Sequence, residues 1–244
     1  MKFLFFSFIS LLTVQCSKFS QELMTLANEA QLPTTPASPK LSNEDAIAGL
    51  KEALQVGIQK AVSNSSVVDG FLKNEQIRLP FPPDAQKVKD KALQLGMSAQ
   101  VEKFETTLNR AAEEAVKEAL PIFTNAISNM SIQDGFAILK GGNGAATKFL
   151  KDNTSAQLRA AFLPKVKEAT AKVQLTAYWN PIITKYNTVT ALSGGEKINP
   201  DLDAFVTERA IEGLFKLVEQ EENNIRQNPA ARVSDLLIKV FGSL

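Results

Sequence analysis

An all-α fold is what this sequence predicts, and two observations predict it. Apolar residues recur at steps of three and four along nearly all of residues 41–244, and only one short stretch, residues 76–82, alternates as extended chain does. Core material is ample, since 44% of the 244 residues are apolar and 22% charged, a balance that disordered chains lack. Lys plus Arg number 27 against 26 Asp plus Glu, and Lys2 is the one charge ahead of Cys16, so removing residues 1–15 leaves 26 of each. That balance argues against a nucleic-acid partner, because neutralising phosphates takes a basic excess. There is no histidine, which excludes His-based triads, His acid–base chemistry and His-ligated zinc or haem. Cys16 is the only cysteine, so no intramolecular disulfide forms, and the composition implies no cofactor.

The chain opens MKFLFFSFISLLTVQC: a cation at Lys2, an apolar stretch from Phe3 to Val14, then Cys16. About a dozen apolar residues fall short of the roughly 20 that span a bilayer. The segment reads as a secretory signal peptide covering residues 1–15. Its cysteine resembles the bacterial lipoprotein signal, in which cleavage exposes a Cys that is then acylated; the departures are Gln15 and Thr13, where that signal places a small residue and leucine. The alternatives are an ordinary signal peptidase cutting after Cys16, guided by Val14 and Cys16, and an uncleaved anchor. All three place the domain outside the cytoplasm. Acyl chains at about 0.8 kcal/mol per buried methylene hold a protein on a membrane without a transmembrane helix. Residues 16–40 then form a tether, with a short amphipathic helix over Lys18–Gln31 and a proline every third residue at Pro33, Pro36 and Pro39.

The helical domain covers residues 41–244. Ser42 and Asp45 cap a helix whose stripe is Ile47, Leu50, Leu54, Ile58, Ala61 and Val62. In DGFLKNEQIRLPFPP, Pro80, Pro82 and Pro83 with alternating Ile77, Leu79 and Phe81 give an extended segment suited to a short edge strand. A helix from Asp84 to Leu95 stops at Gly96. From Ser98, a central helix rich in Ala111, Ala112, Ala115 and Ala119 lets a neighbour approach closely and kinks at Pro121. Ser131 caps a helix ending at Lys140; after GGNG, Asn143 caps the next, and Thr154 opens another that breaks at Pro164 and resumes through Trp179. Pro181 starts a turn of helix reaching Val189. Asn199 with Pro200 starts the helix Asp201–Gln227, whose surplus of apolar residues marks it as the most buried, and Asn228 with Pro229 starts the last.

The segments FETTLNRAAEEAVKEALPIFTNAISNM and GLFKLVEQEENNIRQNPAARVSDLLIKVFG, with GLKEAL, the turn DGF, ILKGGNGAAT and DLDAFVTERAIEGLF, resemble the bacterial family called domain of unknown function 4197 over about residues 41–242. The resemblance implies an envelope-directed protein and carries no activity, substrate or cofactor. In SIQDGFAIL the chain departs from the family, which places an acid and an alanine where Gln133 and Gly135 stand.

Two acidic segments carry the candidate chemistry. LNRAAEEA puts Glu105, Asn109, Arg110 and Glu113 on adjoining turns, and LVEQEENNIR offers Glu219, Glu222 and Arg226. Converging between two helices, they would bind a polar headgroup or a metal through carboxylates; the alternative is ion pairing that fixes helix register. KGGNGAATK lacks the strand and spacing of a phosphate loop, although the helix after it offers an anion site. Asn199, Asp201 and Asp203 suit a helix cap better than a calcium loop, which wants glycine at Ala204. Tyr178, Trp179 and Tyr186 either line an apolar pocket or pack a helix bend. The expected function is a non-enzymatic envelope lipoprotein facing the periplasm. It acts as a binding or structural module for an amphiphile or an envelope protein, with the membrane contacted through Cys16 and no nucleic acid bound. The alternative is a carboxylate-based periplasmic enzyme using Glu105, Glu113 and Glu222 with Arg110 or Arg226.

Overall fold

The structure, a computed structural model, describes residues 42–172, 175–194, 197–199, 201–232 and 234–242. The signal segment, Cys16 and the tether lie outside the described residues. Helix α1 (Asn43–Ser65) starts at a capping box: the Asp45 amide donates to Ser42 Oγ at 3.0 Å and the Ser42 amide to Asp45 Oδ2 at 3.3 Å. A turn-rich and then extended connection follows, ending in a 3-10 turn at Pro83–Ala85 and helix α2 (Gln86–Gln94). The described residues contain no strand, so the extended segment at residues 76–82 has no sheet to join.

Helix α3 (Ser98–Val116) ends one turn before Pro121, and α4 (Ala119–Ser128) carries that proline in its first turn. The proline ring excludes the carbonyl four residues back, so the break falls at Lys117 rather than at Pro121 itself. Helix α5 (Ile132–Lys140) opens on a second capping box, Ser131 with Asp134. Gly135 of α5 is buried, and a Cβ there would run into Ile47, while Gln133 faces solvent.

Helix α6 (Ala145–Lys172) is unbroken where the sequence suggests two helices. Thr154 is buried and its hydroxyl donates to the Leu150 carbonyl at 2.6 Å, so it back-bonds inside the helix instead of capping a new one. Pro164 also lies inside α6. A proline there costs about 3 kcal/mol, and the fully buried Phe162 and Val166 on either side of it, at about 1.5–3 kcal/mol each, outweigh that. Helix α7 (Leu175–Ser193) follows and contains Pro181. Helix α8 (Leu202–Gln227) is capped by Asp201, whose Oδ1 accepts from the Ala204 amide at 2.9 Å. Asn199, expected to be that cap, instead accepts from the Asp201 amide at 2.9 Å in a turn just ahead of it. Asn228 caps a 3-10 turn at Pro229–Ala231, and α9 (Asp235–Gly242) closes the domain.

Helix α8 is the hub, packed against α6, α1 and α3, with α6 also packed on α3 and α4 and α1 on α4, α5 and α9. Ala111, Ala112, Ala115 and Ala119 are fully buried, which is how α3 and its neighbours come close. Gly213 of α8 has a different close neighbour. A Cβ there would stand 2.9 Å from Phe71 and 3.2 Å from Ile77, both of the connecting segment.

Gly213→Ala is therefore expected to destabilise the domain, since overpacking at about 1–3 kcal/mol exceeds the gain in helix propensity. Gly57→Ala, whose Cβ would meet only ordinary contacts at 3.4 and 3.6 Å, is expected to stabilise it by about 0.5–1 kcal/mol. Guanidinium unfolding of the two variants checks the opposite signs.

Candidate functional site

One face of α3 presents Glu105, Asn109, Arg110 and Glu113, and the structure brings all four together around the segment that runs from α1 to α2. Asn109 is fully buried. Its Oδ1 accepts from the Leu79 amide at 2.8 Å, and its Nδ2 donates to the Leu79 carbonyl at 2.9 Å and to the Glu105 carbonyl at 2.8 Å. The side-chain amide thus makes the pair of bonds that a neighbouring strand makes in a sheet, which is why the extended segment needs no sheet.

Glu113 fixes the turn upstream. Its Oε1 accepts from the amides of Phe71 and Leu72 at 3.0 and 3.3 Å, and its Oε2 from Arg110 Nη1 at 2.7 Å. Arg110 Nη2 reaches Asp69 Oδ1 at 2.5 Å, and Asp69 also pairs with Lys73 at 2.7 Å. Asp69 stands at φ +71, a left-handed conformation in which Asp and Asn are enriched. Beside it, a Cβ on Gly70 would lie 2.6 Å from the carbonyl oxygens of Asn64 and Ser65, so the turn requires glycine. Phe71 follows, fully buried. Glu105 holds the far end, accepting from Arg78 Nη2 at 2.9 Å and Lys89 Nζ at 2.6 Å. Asp69, Arg78 and Lys89 are the partners that sequence reasoning missed. The only signal for them is that Asp69 and Arg78 stand in the proline-rich break, and Lys89 on the helix just after it, close in sequence to an unusually polar helix face.

Glu222 and Arg226 do not join this group: among the described residues no hydrogen bond or ion pair links the two sets, although α3 and α8 pack together. Glu222 caps α6 from α8. Its Oε1 accepts from the Ala146 amide and from Arg226 Nε, each at 3.0 Å, and its Oε2 from the amide and hydroxyl of Thr147 at 2.9 and 2.8 Å. Arg226 Nη2 donates to the Ile138 carbonyl at the end of α5 at 3.0 Å. The anion site expected at the start of α6 is thus filled by the protein's own carboxylate, and Asn143 is not the cap.

Two members of the aromatic cluster pack against the core. Trp179 is buried against Phe81 and Phe104, with ring centroids at 5.8 and 5.1 Å, and Tyr186 is half-buried against the core. Tyr178 lies in α7, and its side chain is outside the described ones. Lys73 and then Arg110 hold the Asp69 carboxyl below its ordinary 3.8 by hydrogen bonding, and Glu113 and Asp69 raise Arg110 above its ordinary value. Among the described residues no group of three His, Cys, Asp or Glu comes together as a metal site. A cleft of about 530 Å³ between Lys148, Lys151, Lys216, Glu212 and Glu219, and one of about 730 Å³ beside Asp69, Lys73 and Gln220, are open and polar. A void of about 20 Å³ bounded by Leu50, Leu54, Ile225 and Phe241 is apolar.

Fold and site together define a class: an all-α domain whose buried acids and amides hold its own backbone. The chain belongs to the family described as protein of unknown function (DUF4197), which matches residues 40–242. No curated protein and no solved structure matches it.

Asn109→Ala is expected to cost about 2–4 kcal/mol, because the buried amide and carbonyl of Leu79 lose their partners together; urea unfolding measures it. The lowered Asp69 carboxyl stabilises the fold above its ordinary 3.8, and that contribution is lost as pH falls through the lowered value. Protection from hydrogen exchange at residues 69–74, taken relative to the intrinsic rate at each pH, is expected to fall on acidification through the lowered Asp69 value. Asp69→Asn should show the lower protection already at about pH 5, and equal protection in variant and wild type would sink the assignment.

Proposed function

We propose that this chain is a non-enzymatic module of the bacterial cell envelope, exported by residues 1–15, carried on the membrane by lipid at Cys16 and facing the periplasm, where it works through its outer surface on a protein partner. The observation that carries the reading is the occupation of the three carboxylates that the enzyme alternative needs, while the fourth acid of the two segments, Glu219, lines an open polar cleft without an ion-pair partner among the described residues. Glu105 holds two cations, Glu113 takes two amides and Arg110, and Glu222 takes two amides, a hydroxyl and Arg226. A general acid or base needs an oxygen within reach of a substrate proton, and the periplasmic-enzyme alternative has none of these three free to serve.

Between an amphiphile and a protein, the packing favours the protein. Carriage of an acyl chain needs an apolar cavity of about 300 Å³ or more, whereas the apolar void described above holds about 20 Å³ and the larger clefts are open and lined by both signs of charge. No helix among the described residues is long and apolar enough to cross a membrane, so attachment in this reading rests on Cys16.

Native mass spectrometry with lipid extraction tests this on the Cys16→Ser chain exported behind an ordinary cleavable signal peptide. The expected result is a clean apo mass. A stoichiometric amphiphile adduct would overturn the protein-partner reading and put ligand carriage in its place.

A further inference from the structure

Helix α2 has no buried residue, and residues 93–100 are all exposed, so the α2–α3 connection projects from the domain as the tip of a helical hairpin. At its apex Gly96 has φ +78, and a Cβ built there would meet nothing within 4 Å. The apex is apolar. Leu93, Leu95 and Met97 are 43%, 66% and 40% exposed, three large apolar side chains within five residues. From Ala92 to Val101 the chain carries no charge at all.

Charge returns immediately behind the apex, and it is mainly positive. Residues 86–103 contain Lys87, Lys89, Lys91 and Lys103 against Asp90 and Glu102. Lys89 is held by Glu105. Lys87, Lys91 and Lys103 are exposed and in no ion pair among the described residues, while Asp90 accepts from Gln86 at 3.2 Å. An uncharged, exposed apolar apex with a cationic collar has the chemistry of an anionic bilayer interface: acyl carbons for the apex and phosphates for the collar. A protein partner fits less well, because a stable protein interface needs about 800 Å² from each side and three partly exposed side chains on a narrow tip offer far less.

We propose that the α2–α3 tip is a membrane-inserting element, in which Leu93, Leu95 and Met97 enter the interface of an anionic bilayer while Lys87, Lys91 and Lys103 meet its headgroup phosphates. The contact goes beyond the envelope role proposed above and does not depend on lipid at Cys16. It gives the domain a second point of attachment and hence a fixed face toward the membrane. Because the inserted apolar area is small, attachment by the tip alone is weak and reversible, and two weak signals combine into a stable one.

The test uses the Cys16→Ser chain, exported behind a cleavable signal peptide, with vesicles of phosphatidylethanolamine plus phosphatidylglycerol and separate vesicles of phosphatidylcholine. Co-sedimentation is expected with the anionic vesicles, weaker with the neutral ones, and falling as salt rises. Replacing Leu93, Leu95 and Met97 together by Gln is expected to weaken binding by at least about tenfold. Replacing Lys87, Lys91 and Lys103 together by Gln should weaken it about tenfold or more on anionic vesicles only. All six side chains are exposed, so circular dichroism and thermal unfolding are expected to stay unchanged. Absence of vesicle binding overturns the proposal, as does binding that the apolar substitutions leave intact. Self-association of the chain that the same substitutions abolish, without vesicle binding, would assign the tip to a second copy and overturn it too. None of these outcomes bears on whether the domain carries a ligand, which the mass measurement decides separately.

Discussion

The structure depends on how α3 pairs the backbone of a segment that has no sheet. The chain between α1 and α2 runs through the core with Phe71, Ile77, Leu79 and Phe81 buried, and a buried amide or carbonyl without a partner costs about 1–3 kcal/mol. Asn109 and Glu113 supply those partners from one helix face, four residues apart and therefore one turn apart. Much of the packing follows from them. Once Leu79 is pinned, Phe81 is placed to stack on Phe104 and to receive Trp179, which adds to the packing of α7 on α6 and α8. Once Phe71 is pinned, it and Ile77 press on α8 at Gly213, where no side chain stands in the way. A connection that prolines keep out of any helix is thereby turned into core.

The same device recurs at the other end of α8. Glu222 takes the first amides of α6, and its partner Arg226 takes a carbonyl from the last turn of α5, so one ion pair closes two helix ends. Arg232 then donates to the Ile225 and Arg226 carbonyls at the end of α8 itself, at 3.1 and 2.9 Å. Buried ion pairs are poor sources of net stability, because desolvation offsets their attraction. Their use here is geometric: charge-assisted bonds to backbone groups hold only one register, and sliding α8 by a turn against α6 would strand both a carboxylate and two amides.

The helices were legible in the sequence because periodicity and caps are local. Ser42 with Asp45, Ser131 with Asp134 and the stop at Gly96 each act within a few residues, and each stands where the pattern puts it. Two misreadings are shifts of a few residues, the cap at Asp201 for Asn199 and the break at Lys117 for Pro121; the larger ones come from a local signal overruled by a distant partner. Thr154 and Pro164 look like boundaries, but packing on α8 and α3 carries α6 through both. Asn143 looks like a cap, but the cap arrives from Glu222, 75 residues further along for Thr147. The polar residues were legible as a set and illegible as an arrangement. Glu105, Asn109, Arg110 and Glu113 do converge, yet on the backbone and charged side chains of the segment between α1 and α3 rather than on Glu222, and nothing in helical spacing says which segment a helix face will meet.

The clamp on α3 is graded from inside to outside, and the grading locates the softest part of the molecule. Asn109 is fully buried and Glu113 nearly so, at 0% and 4% exposure, so their bonds sit where water and salt screen little. Asp69 and Lys73 form the outer rung at 27% and 76% side-chain exposure, where solvent screens an ion pair and salt weakens it further. The turn they hold carries Val67 and Val68, exposed at 54% and 75%, whose burial contributes little to keeping it closed. Opening therefore begins at residues 67–70 and stops at the Glu113 carboxylate, because passing it means abandoning the amides of Phe71 and Leu72 together with the buried Phe71 ring. The inner rungs tie the connecting segment to α3 from one side while Phe71 and Ile77 lie against α8 at Gly213 from the other, so the segment is held between two helices and only its outer turn is left to give.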